Sequence, residues 1–274
     1  MSDSGERVIP RESGNWKNMN EYLMYLRHLA AYTYAQPLAA NRVVLDLGCG
    51  TGYGTQLLAE SSALVAGLDR SLEWVLQVSS SYDRAQFLWA DAVYLPFTDR
   101  TFNLVTSFQV IEHILDTDRY IQEIWRVLAG GGCLVISTPN KCLRLLPFQP
   151  PRNPLHIREY SPKELSTLLS RYFHIVSLQG LHCTPAIKTI ELERLKQNPL
   201  PVYARLILKN ILPPSLIAKL RRARSLATTL TSRSQGNVNE MPVSSFESSF
   251  SLDDFWVEPN HVESCLDIIA VCTK

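Results

Sequence analysis

Three acidic residues lie within or directly after short apolar runs, at similar intervals along the chain. Asp46 is in the first run, and Asp69 and Asp91 follow the next two runs after intervals of 23 and 22 residues. If these runs are parallel strands, their carboxyl ends meet at one edge of a sheet, where ligands of such folds bind. Three carboxylates suit ribose hydroxyls, an amino-bearing base and a cationic amine, but they would repel a pyrophosphate. The pattern therefore favours an adenosine joined to a zwitterionic group over NAD(P) or ATP.

A glycine-rich turn separates the first apolar run from the next helical stretch. It contains Gly48, Cys49, Gly50 and Gly52. Glycines allow positive φ and let a ligand lie directly against the backbone. The helix that follows offers N–H groups at its first turn to an anionic group. We therefore predict that this turn seats one end of the ligand. The glycines do not have the standard G-x-G-x-x-G spacing, which is a further argument against a dinucleotide oxidoreductase.

Apolar runs alternate with helical stretches from Arg42 onward. Continuous Val, Ile and Leu are typical of parallel strands buried on both faces. Asp116 is predicted to cap one helix, and the capping box Ser161–Glu164 is predicted to begin another. Gly130 is predicted to end a helix, because glycine can adopt the positive φ of a helix C-terminus. The pattern predicts an α/β fold with a Rossmann-like, seven-stranded, doubly wound sheet. The predicted strands are Val43–Leu47, Leu64–Leu68, Phe87–Ala90, Leu104–Phe108, Cys133–Ile136, Phe173–Leu178 and Leu266–Val271.

The pattern divides the chain into four parts. Residues 1–40 are predicted to be a polar tail and an N-terminal helical cap that ends before Pro37, and 41–181 the ligand-binding core. Residues 182–262 are predicted to be an inserted helical and loop segment, basic and then acidic, with amphipathic helices near 202–212 and 215–230. Residues 263–274 are predicted to return to the core as the final strand. Nine basic residues and no acidic residue lie between Arg194 and Asn239.

Composition excludes several classes of protein. The 274 residues are 46% hydrophobic and carry a net charge of +1, which is typical of a globular protein and lacks the basic excess of nucleic-acid binders. The six cysteines form no C-x-x-C pair and are predicted to be buried thiols, and the histidines lack metal-ligand spacing, so we predict no metal site. Without a signal peptide or an 18-residue apolar stretch, we predict a cytoplasmic protein.

The chain resembles class I S-adenosylmethionine-dependent methyltransferases, in the bacterial small-molecule group related to ubiquinone-biosynthesis enzymes. The resemblance covers about residues 22–180 and the final strand. The matching stretches are VLDLGCGTGYGT at 44–55, GLDRS at 67–71, DA at 91–92 followed by LPF at 95–97, QVIEHI at 109–114, RVL at 126–128, GGG at 130–132, STPN at 137–140 and NPLHIREY at 153–160.

The resemblance implies S-adenosylmethionine as cofactor and a set of residues around it. The glycines of the turn, with Cys49, would lie under the methionine part, and Asp46 would orient its ammonium group. Asp69 would accept bonds from both ribose hydroxyls. Asp91 would accept one from the adenine amino group, and Ala92 would offer its backbone N–H to the ring. The residues implied around the cofactor are Asp46, Gly48, Cys49, Gly50, Gly52, Asp69, Arg70, Asp91, Ala92 and Gln109, the last beside the sulfonium. Arg70 departs from the family, which usually has an apolar residue there that stacks on adenine, so Arg70 must stack or swing away.

A hydroxyl acceptor would need a general base, and histidine is the natural candidate near neutral pH. His113 follows the fourth strand, and His156 lies in the loop after the fifth. Either one could be the base, or each could only hold its loop in place. His28 could touch substrate or cofactor. Tyr22 and Tyr32 are candidates for a lid, although packing in the N-terminal cap would also explain them.

We therefore predict transfer of a methyl group to an oxygen of a small-molecule or glycan-type acceptor. One alternative is methylation of a quinone or lipid, at carbon or oxygen, at the membrane surface. The other is a catalytically inactive cofactor-binding module in an assembly. The basic segment 200–233 is either a helical cap over the site or a peripheral membrane contact. We expect no nucleic-acid partner, and the oligomeric state is not evident from the sequence.

Overall fold

An eight-stranded sheet forms the centre of the computed structural model, which describes residues 9–10, 15–146, 148–197 and 243–274. The strands are β1 (Val43–Leu47), β2 (Leu64–Asp69), β3 (Gln86–Trp89), β4 (Phe102–Phe108), β5 (Leu128–Pro139), β6 (Ile175–Cys183), β7 (Phe255–Glu258) and β8 (Asp267–Thr273). Their order in the sheet is β3-β2-β1-β4-β5-β8-β6-β7. Neighbours from β3 to β5 pair in parallel, whereas β8 pairs antiparallel with both β5 and β6. The α/β, Rossmann-like fold class predicted from the sequence is confirmed.

Helices cover both faces of the sheet. They are α1 (Met19–Ala39), α2 (Tyr53–Ala59), α3 (Leu72–Ser79), α4 (Thr117–Val127), α5 (Lys141–Arg144), α6 (Pro162–Leu169), α7 (Pro185–Gln197) and α8 (Val243–Ser249), with 3-10 turns at Ile111–His113, Leu252–Asp254 and Val262–Ser264. Successive residues of β1 enter different cores: Leu45 packs with α4 and α6, whereas Val44 packs with α1. This burial on both faces explains why the strands read as continuous apolar runs.

The eighth strand is an addition to the predicted seven. β7 pairs antiparallel with the outer edge of β6, with His182 opposite Trp256. It contains only four residues and leaves Trp256 42% exposed. So short a strand with one buried face gives neither a continuous apolar run nor a measurable alternation, and the sequence pattern therefore did not reveal it.

Two predicted helix boundaries are corrected. The N-terminal helix was expected to end before Pro37, but α1 includes Pro37 and ends at Ala39. Pro37 removes one backbone donor from the last turn, and the buried Ala35 and Ala39 hold that turn against the core. Gly130 was expected to end α4. Instead α4 ends at Val127, and the chain enters β5 directly at Leu128.

The predicted helix starts near the carboxyl edge of the sheet are confirmed. Asp116 caps α4 by accepting from the backbone N–H of Arg119 at 3.0 Å. Ser161 and Glu164 form the predicted capping box at the start of α6. These caps fix the ends of the loops that follow β4 and β5. The predicted helices near 202–212 and 215–230 lie outside the described residues.

All six cysteines are free thiols, and five of them are buried as predicted. Cys142 is the exception, because it lies exposed on the short helix α5. In the part of the chain that the structure describes, no helix has both the length and the apolar character that crossing a membrane requires.

Candidate active site

A cavity of about 630 Å³ lies at the carboxyl edge of the sheet. One wall consists of the glycine turn after β1 and the residues that end β2 and β4. The rest of the lining consists of Arg144, residues 152–156, the end of α7 and side chains of α1. This is the sheet edge at which ligands of such folds bind.

The glycine turn is held against β2 by its backbone. The N–H groups of Gly48 and Cys49 donate to the carbonyl of Leu68 at 2.7 and 3.1 Å. Gly48 has a φ of +75°, and an added Cβ would lie 2.4 Å from Cγ2 of Val110. A side chain at this position would therefore be strained and would also clash with the residue after β4.

Asp69 ends β2 and is bonded to the turn on one side and to the start of α3 on the other. Its Oδ2 accepts from the backbone N–H of Gly50 at 3.0 Å, and its Oδ1 accepts from that of Ser71 at 2.8 Å. The residue is 7% exposed and reaches the cavity wall. Because each carboxylate oxygen can accept more than one bond, these amides orient the group and leave it able to accept from a ligand.

Asp46 is fully buried behind the turn and does not reach the cavity. Its carboxylate accepts from Oγ1 of Thr55 at 2.6 Å, Oγ1 of Thr106 at 2.8 Å and the hydroxyl of Tyr32 at 3.2 Å. Burial raises the pKa of Asp46 to about 6, although the three hydroxyl donors oppose that rise. Gly52 also lies away from the cavity. It caps α2 in the left-handed conformation beside the ring of Tyr82.

The other eight predicted cofactor residues lie at the cavity. They are Gly48, Cys49, Gly50, Asp69, Arg70, Asp91, Ala92 and Gln109. Gln109 has a φ of +57°, which is unusual for a residue other than glycine, and its backbone N–H donates to the carbonyl of Ser137. The exposed Asp91 accepts from the backbone N–H of Val93 at 3.1 Å. Arg70 is also exposed.

The two predicted catalytic histidines both line the cavity and lie next to each other. The ring centroids of His113 and His156 are 4.9 Å apart at an angle of 81°. Nδ1 of His156 lies 2.9 Å from Oε1 of the buried Glu159, and Nδ1 of His113 lies 3.0 Å from the carbonyl of Leu155. These contacts favour the tautomers with the proton on Nδ1, so each Nε2 carries the lone pair.

Glu112 completes this group and was not singled out from the sequence as a functional residue. It is fully buried, its Oε2 accepts from Oγ1 of Thr138 at 3.1 Å, and its Oε1 has no hydrogen-bond partner in the described structure. Burial raises the pKa of Glu112 to about 7. Its backbone carbonyl accepts from the N–H of Ile157 at 2.8 Å, which ties the loop of His156 to the end of β4.

Glu112, His113 and His156 each place one potential ligand atom within 4.8 Å of the other two. A carboxylate and two imidazoles form a donor set that binds divalent metals. We predicted no metal site because the histidines lack metal-ligand spacing along the sequence. Spacing cannot show that His113 and His156, 43 positions apart, lie together in the fold. The absence of a metal therefore stays a prediction.

The N-terminal aromatic residues pack rather than stand free over the cavity. Tyr32 is 5% exposed, and its ring lies against Phe108 and Gly54 while its hydroxyl reaches Asp46. The hydroxyl of Tyr22 donates to the carbonyl of Phe250 at 2.9 Å. The packing interpretation therefore holds for both tyrosines. His28 does line the cavity.

Four arginines at the cavity were not predicted. Arg27 projects from α1, Arg144 from α5, Arg152 from the loop that follows and Arg194 from α7. These arginines are far apart in the sequence, so no local motif predicts that they line the same cavity.

Comparison with known proteins agrees with this geometry. A family described as a methyltransferase domain matches residues 45–136. The chain is also 36% identical over 193 residues to a probable S-adenosylmethionine-dependent methyltransferase of Mycobacterium tuberculosis, a match covering 69% of this chain and 67% of that protein. The chain belongs to the class I S-adenosylmethionine-dependent methyltransferases. It is accordingly a methyltransferase with S-adenosylmethionine as its cofactor.

Other relatives of this methyltransferase differ in what their names say they act on. A demethylmenaquinone methyltransferase of Lactiplantibacillus plantarum is 37% identical over 144 residues, covering 47% of this chain and 61% of that protein. A solved S-adenosylmethionine-dependent methyltransferase from Thermotoga maritima superposes with a TM-score of 0.55 at 15% identity, covering 93% of this chain and 95% of that one. At that identity the structural likeness shows the fold alone.

Proposed function

We propose that this methyltransferase transfers the methyl group to a hydroxyl of a small acceptor, such as a sugar, a quinone or a polyketide-like molecule, either free or lipid-linked. The observation that carries the proposal is the division of one cavity into two chemically different walls. The glycine turn and Asp69 form one wall, and the His156–Glu159 pair with Glu112 forms the other. A nucleoside on the first wall would face a hydroxyl on the second.

The first wall suits the cofactor. A Cβ added at Gly50 would have only the carbonyl oxygen of Gly48, at 4.0 Å, as a near neighbour, and Asp69 is held by two backbone amides at the same edge. In this arrangement Asp69 accepts from the ribose hydroxyls and Asp91 from the adenine amino group, with the N–H of Ala92 on the ring. Gln109 lies beside the sulfonium. Asp46 acts through the hydroxyls that surround it or through water, because it does not line the cavity.

S-adenosylmethionine supplies a methyl group that is already activated by its positively charged sulfur. The main task of the protein is therefore to hold the acceptor oxygen in line behind that methyl group. Such orientation can contribute roughly 7–11 kcal/mol to lowering a barrier. The cavity has walls from both halves of the sheet edge, which allows both molecules to be fixed at once.

The second wall can take the proton of the acceptor hydroxyl. The Glu159 carboxylate accepts from Nδ1–H of His156, which leaves Nε2 as the proton acceptor. Glu159 is itself 2% exposed, so the imidazolium formed by proton transfer would be stabilised by a buried negative charge. We assign His156 as the general base and Glu159 as its positioning residue, with Glu112 and His113 completing the pocket for the hydroxyl.

A screen of methyl transfer from radiolabelled cofactor across sugars, quinones and lipid extracts tests the proposal. With an acceptor in hand, His156→Gln should lower kcat by about 10²–10⁴-fold, while the exposed His174→Gln serves as the matched control. Saturable cofactor binding without transfer to any acceptor would instead support an inactive module. Loss of activity in a chelator, with recovery on adding a divalent metal, would replace the histidine base by metal-assisted activation.

A lipid-linked or quinone acceptor at a membrane surface is the second candidate, and exposed apolar side chains favour it. Leu146 is 70% exposed, Phe148 is fully exposed and Ile157 is 49% exposed, and all three lie in the segment that borders the acceptor wall. The demethylmenaquinone relative agrees with this candidate. The basic segment 200–233, proposed as a membrane contact, lies outside the described residues.

Flotation with anionic liposomes tests this candidate. Phe148→Ser should reduce flotation several-fold, because it removes apolar surface that would enter the interface. Leu76→Ser on α3 removes a similar exposed side chain, 64% exposed, that does not line the cavity, and should have no effect. Absence of flotation at low salt for the unaltered protein would contradict membrane contact.

A further inference from the structure

We propose that the acceptor carries an anionic group, a phosphate or a carboxylate, and that Arg144, Arg152 and Arg194 bind it at the acceptor end of the cavity. The inference rests on the proposed function, since it assigns this part of the cavity to the acceptor. It adds a chemical class of substrate that neither the fold nor the relatives specify.

The first observation is convergence. Four arginines from α1, α5, the loop after α5 and α7 line the cavity. Arg144 lies close enough to Arg27 and Arg194 to interact electrostatically with both, and Arg152 donates to the carbonyl of Leu195, next to Arg194. Asp69 and Asp91 belong to the cofactor wall. The arginines come from other elements, and Arg144 contacts Glu159, the partner of His156, so a negative group of the acceptor could bind beside the proposed base.

The second observation is the local charge balance. Arg27 is satisfied by two contacts with Asp267, one of them at 2.5 Å, and it lies 3.7 Å from Glu191. Glu191 also accepts from Arg194 at 2.6 Å.

The third carboxylate nearby, Glu159, is shared between His156 at 2.9 Å and Arg144 at 3.4 Å. Among the described residues, Asp267 and Glu191 are thus engaged by Arg27 and Arg194. Arg144 has only the longer contact with Glu159, a carboxylate that already bonds to His156.

The third observation is that buried donors at this end lack acceptors. The Nε atoms of Arg144 and Arg194 are buried and have no hydrogen-bond partner within the described ranges. The side chain of Arg144 is only 13% exposed, and its contact with Glu159 does not have hydrogen-bond geometry. Buried donors without acceptors are costly, and a guanidinium presents a planar fork that matches two oxygens of a phosphate or carboxylate. A bound anion would satisfy these donors.

The position of these arginines favours the acceptor over the carboxylate of the cofactor. Arg144 faces Glu159, the partner of the proposed base, and Arg152 donates to the carbonyl of Leu195 in α7. Neither of them projects from the glycine turn or from the strand ends beside it. An anion held here would lie next to His156, where it could orient a neighbouring hydroxyl for reaction.

Arginine-detected NMR on the full chain, saturated with S-adenosylhomocysteine, tests the inference. Inorganic phosphate and acetate are titrated separately at constant ionic strength, and the Nε–H signals of Arg144 and Arg194 are followed. We expect saturable shifts of both signals with at least one anion, and no shift for Arg171, which is exposed and outside the cavity. Phosphate and acetate arms distinguish a phosphorylated acceptor from a carboxylated one.

Variants provide the second arm. Arg144→Gln and Arg194→Gln should each weaken anion binding about tenfold or more, as expected for loss of a charge-assisted contact, whereas Arg171→Gln should not change it. Affinity for S-adenosylhomocysteine should be unchanged in all three, which also shows that they are folded.

No saturable shift with either anion, or unchanged anion binding in both cavity variants, would overturn the inference. A tenfold loss of S-adenosylhomocysteine affinity in Arg144→Gln would overturn it as well, by assigning the site to the cofactor. Failure of S-adenosylhomocysteine to bind the unaltered protein would instead contradict the proposed function.

Discussion

The hydroxyl of Tyr32 in α1 reaches the fully buried carboxylate of Asp46 in β1, at 3.2 Å from Oδ2. This contact joins the N-terminal helix to the strand that begins the glycine turn. Thr55, just after the turn, and Thr106 in β4 donate to the same carboxylate. Asp46 thus connects four elements behind the cofactor wall, and the shape of that wall depends on it.

Removing the Tyr32 hydroxyl should loosen this connection. Tyr32→Phe deletes one of three donors to a buried carboxylate, so the free energy of unfolding should fall by about 1 kcal/mol, and S-adenosylhomocysteine should bind more weakly. Urea denaturation and isothermal titration measure the two effects. Tyr34→Phe on the same helix, at a residue that does not line the cavity, is the matched control, and equal behaviour of the two variants would contradict the role given to Tyr32.

The raised pKa of Asp46 makes stability depend on pH. The folded protein holds a proton on Asp46 up to about pH 6, whereas an unfolded aspartate loses it near pH 3.9. Between these values the folded state binds more protons, so its contribution to stability is fully present below pH 4 and is lost as pH rises through 6.

Comparison with Asp46→Asn isolates this group from others that titrate in the same range. The difference in unfolding free energy between the unaltered protein and the variant should shift by roughly 2 kcal/mol in favour of the variant from pH 4 to pH 7. Urea denaturation of the cofactor-free protein at four pH values measures it. A difference that stays constant with pH would show that Asp46 is ionised throughout.

Asp69 should contribute directly to cofactor affinity. Asp69→Ala removes charge-assisted hydrogen bonds of about 1.5–3 kcal/mol, so S-adenosylhomocysteine should bind about tenfold or more weakly. Asp83→Ala, at an exposed loop residue away from the cavity, should bind it normally. Isothermal titration gives both affinities, and normal binding by Asp69→Ala would refute the ribose assignment.

The cofactor wall was predictable from sequence because its residues are local. The glycine turn, Asp69 and the bounds of β1 all lie within 27 consecutive residues, and burial of parallel strands on both faces leaves a continuous apolar run. Most of the predicted cofactor residues consequently line the cavity. Asp46 was also predicted to lie beside the ligand because it is close to the turn in sequence. In the structure it is fully buried, since hydroxyls of three other elements bond to its carboxylate behind the turn.

The acceptor wall could not be predicted in the same way. The sequence pattern assigns no role to Glu159 beyond its place in the NPLHIREY stretch, and it places neither Arg144 nor Arg194 at the site. Their meeting depends on how α5, α7 and the loop between β5 and α6 fold back over the sheet edge. Such long-range contacts leave no periodicity or motif in the sequence, so only the structure brings them together.

Gly54 offers a test of the packing between α1 and the glycine turn. An added Cβ there would lie 2.0 Å from the ring of Tyr32, whereas an added Cβ at Gly130 would meet nothing within 4 Å. Gly54→Ala should therefore push Tyr32 away from Asp46 and lower the free energy of unfolding by about 1–3 kcal/mol, the usual cost of overpacking. Gly130→Ala, which makes the same chemical change in open space, should be close to neutral.

Thermal and urea denaturation of the two variants, with isothermal titration of S-adenosylhomocysteine, measure the contrast. Because Tyr32 lies between the helix and the turn, Gly54→Ala should also weaken cofactor binding, and a stable variant with normal binding would show that the ring can move without disturbing the wall.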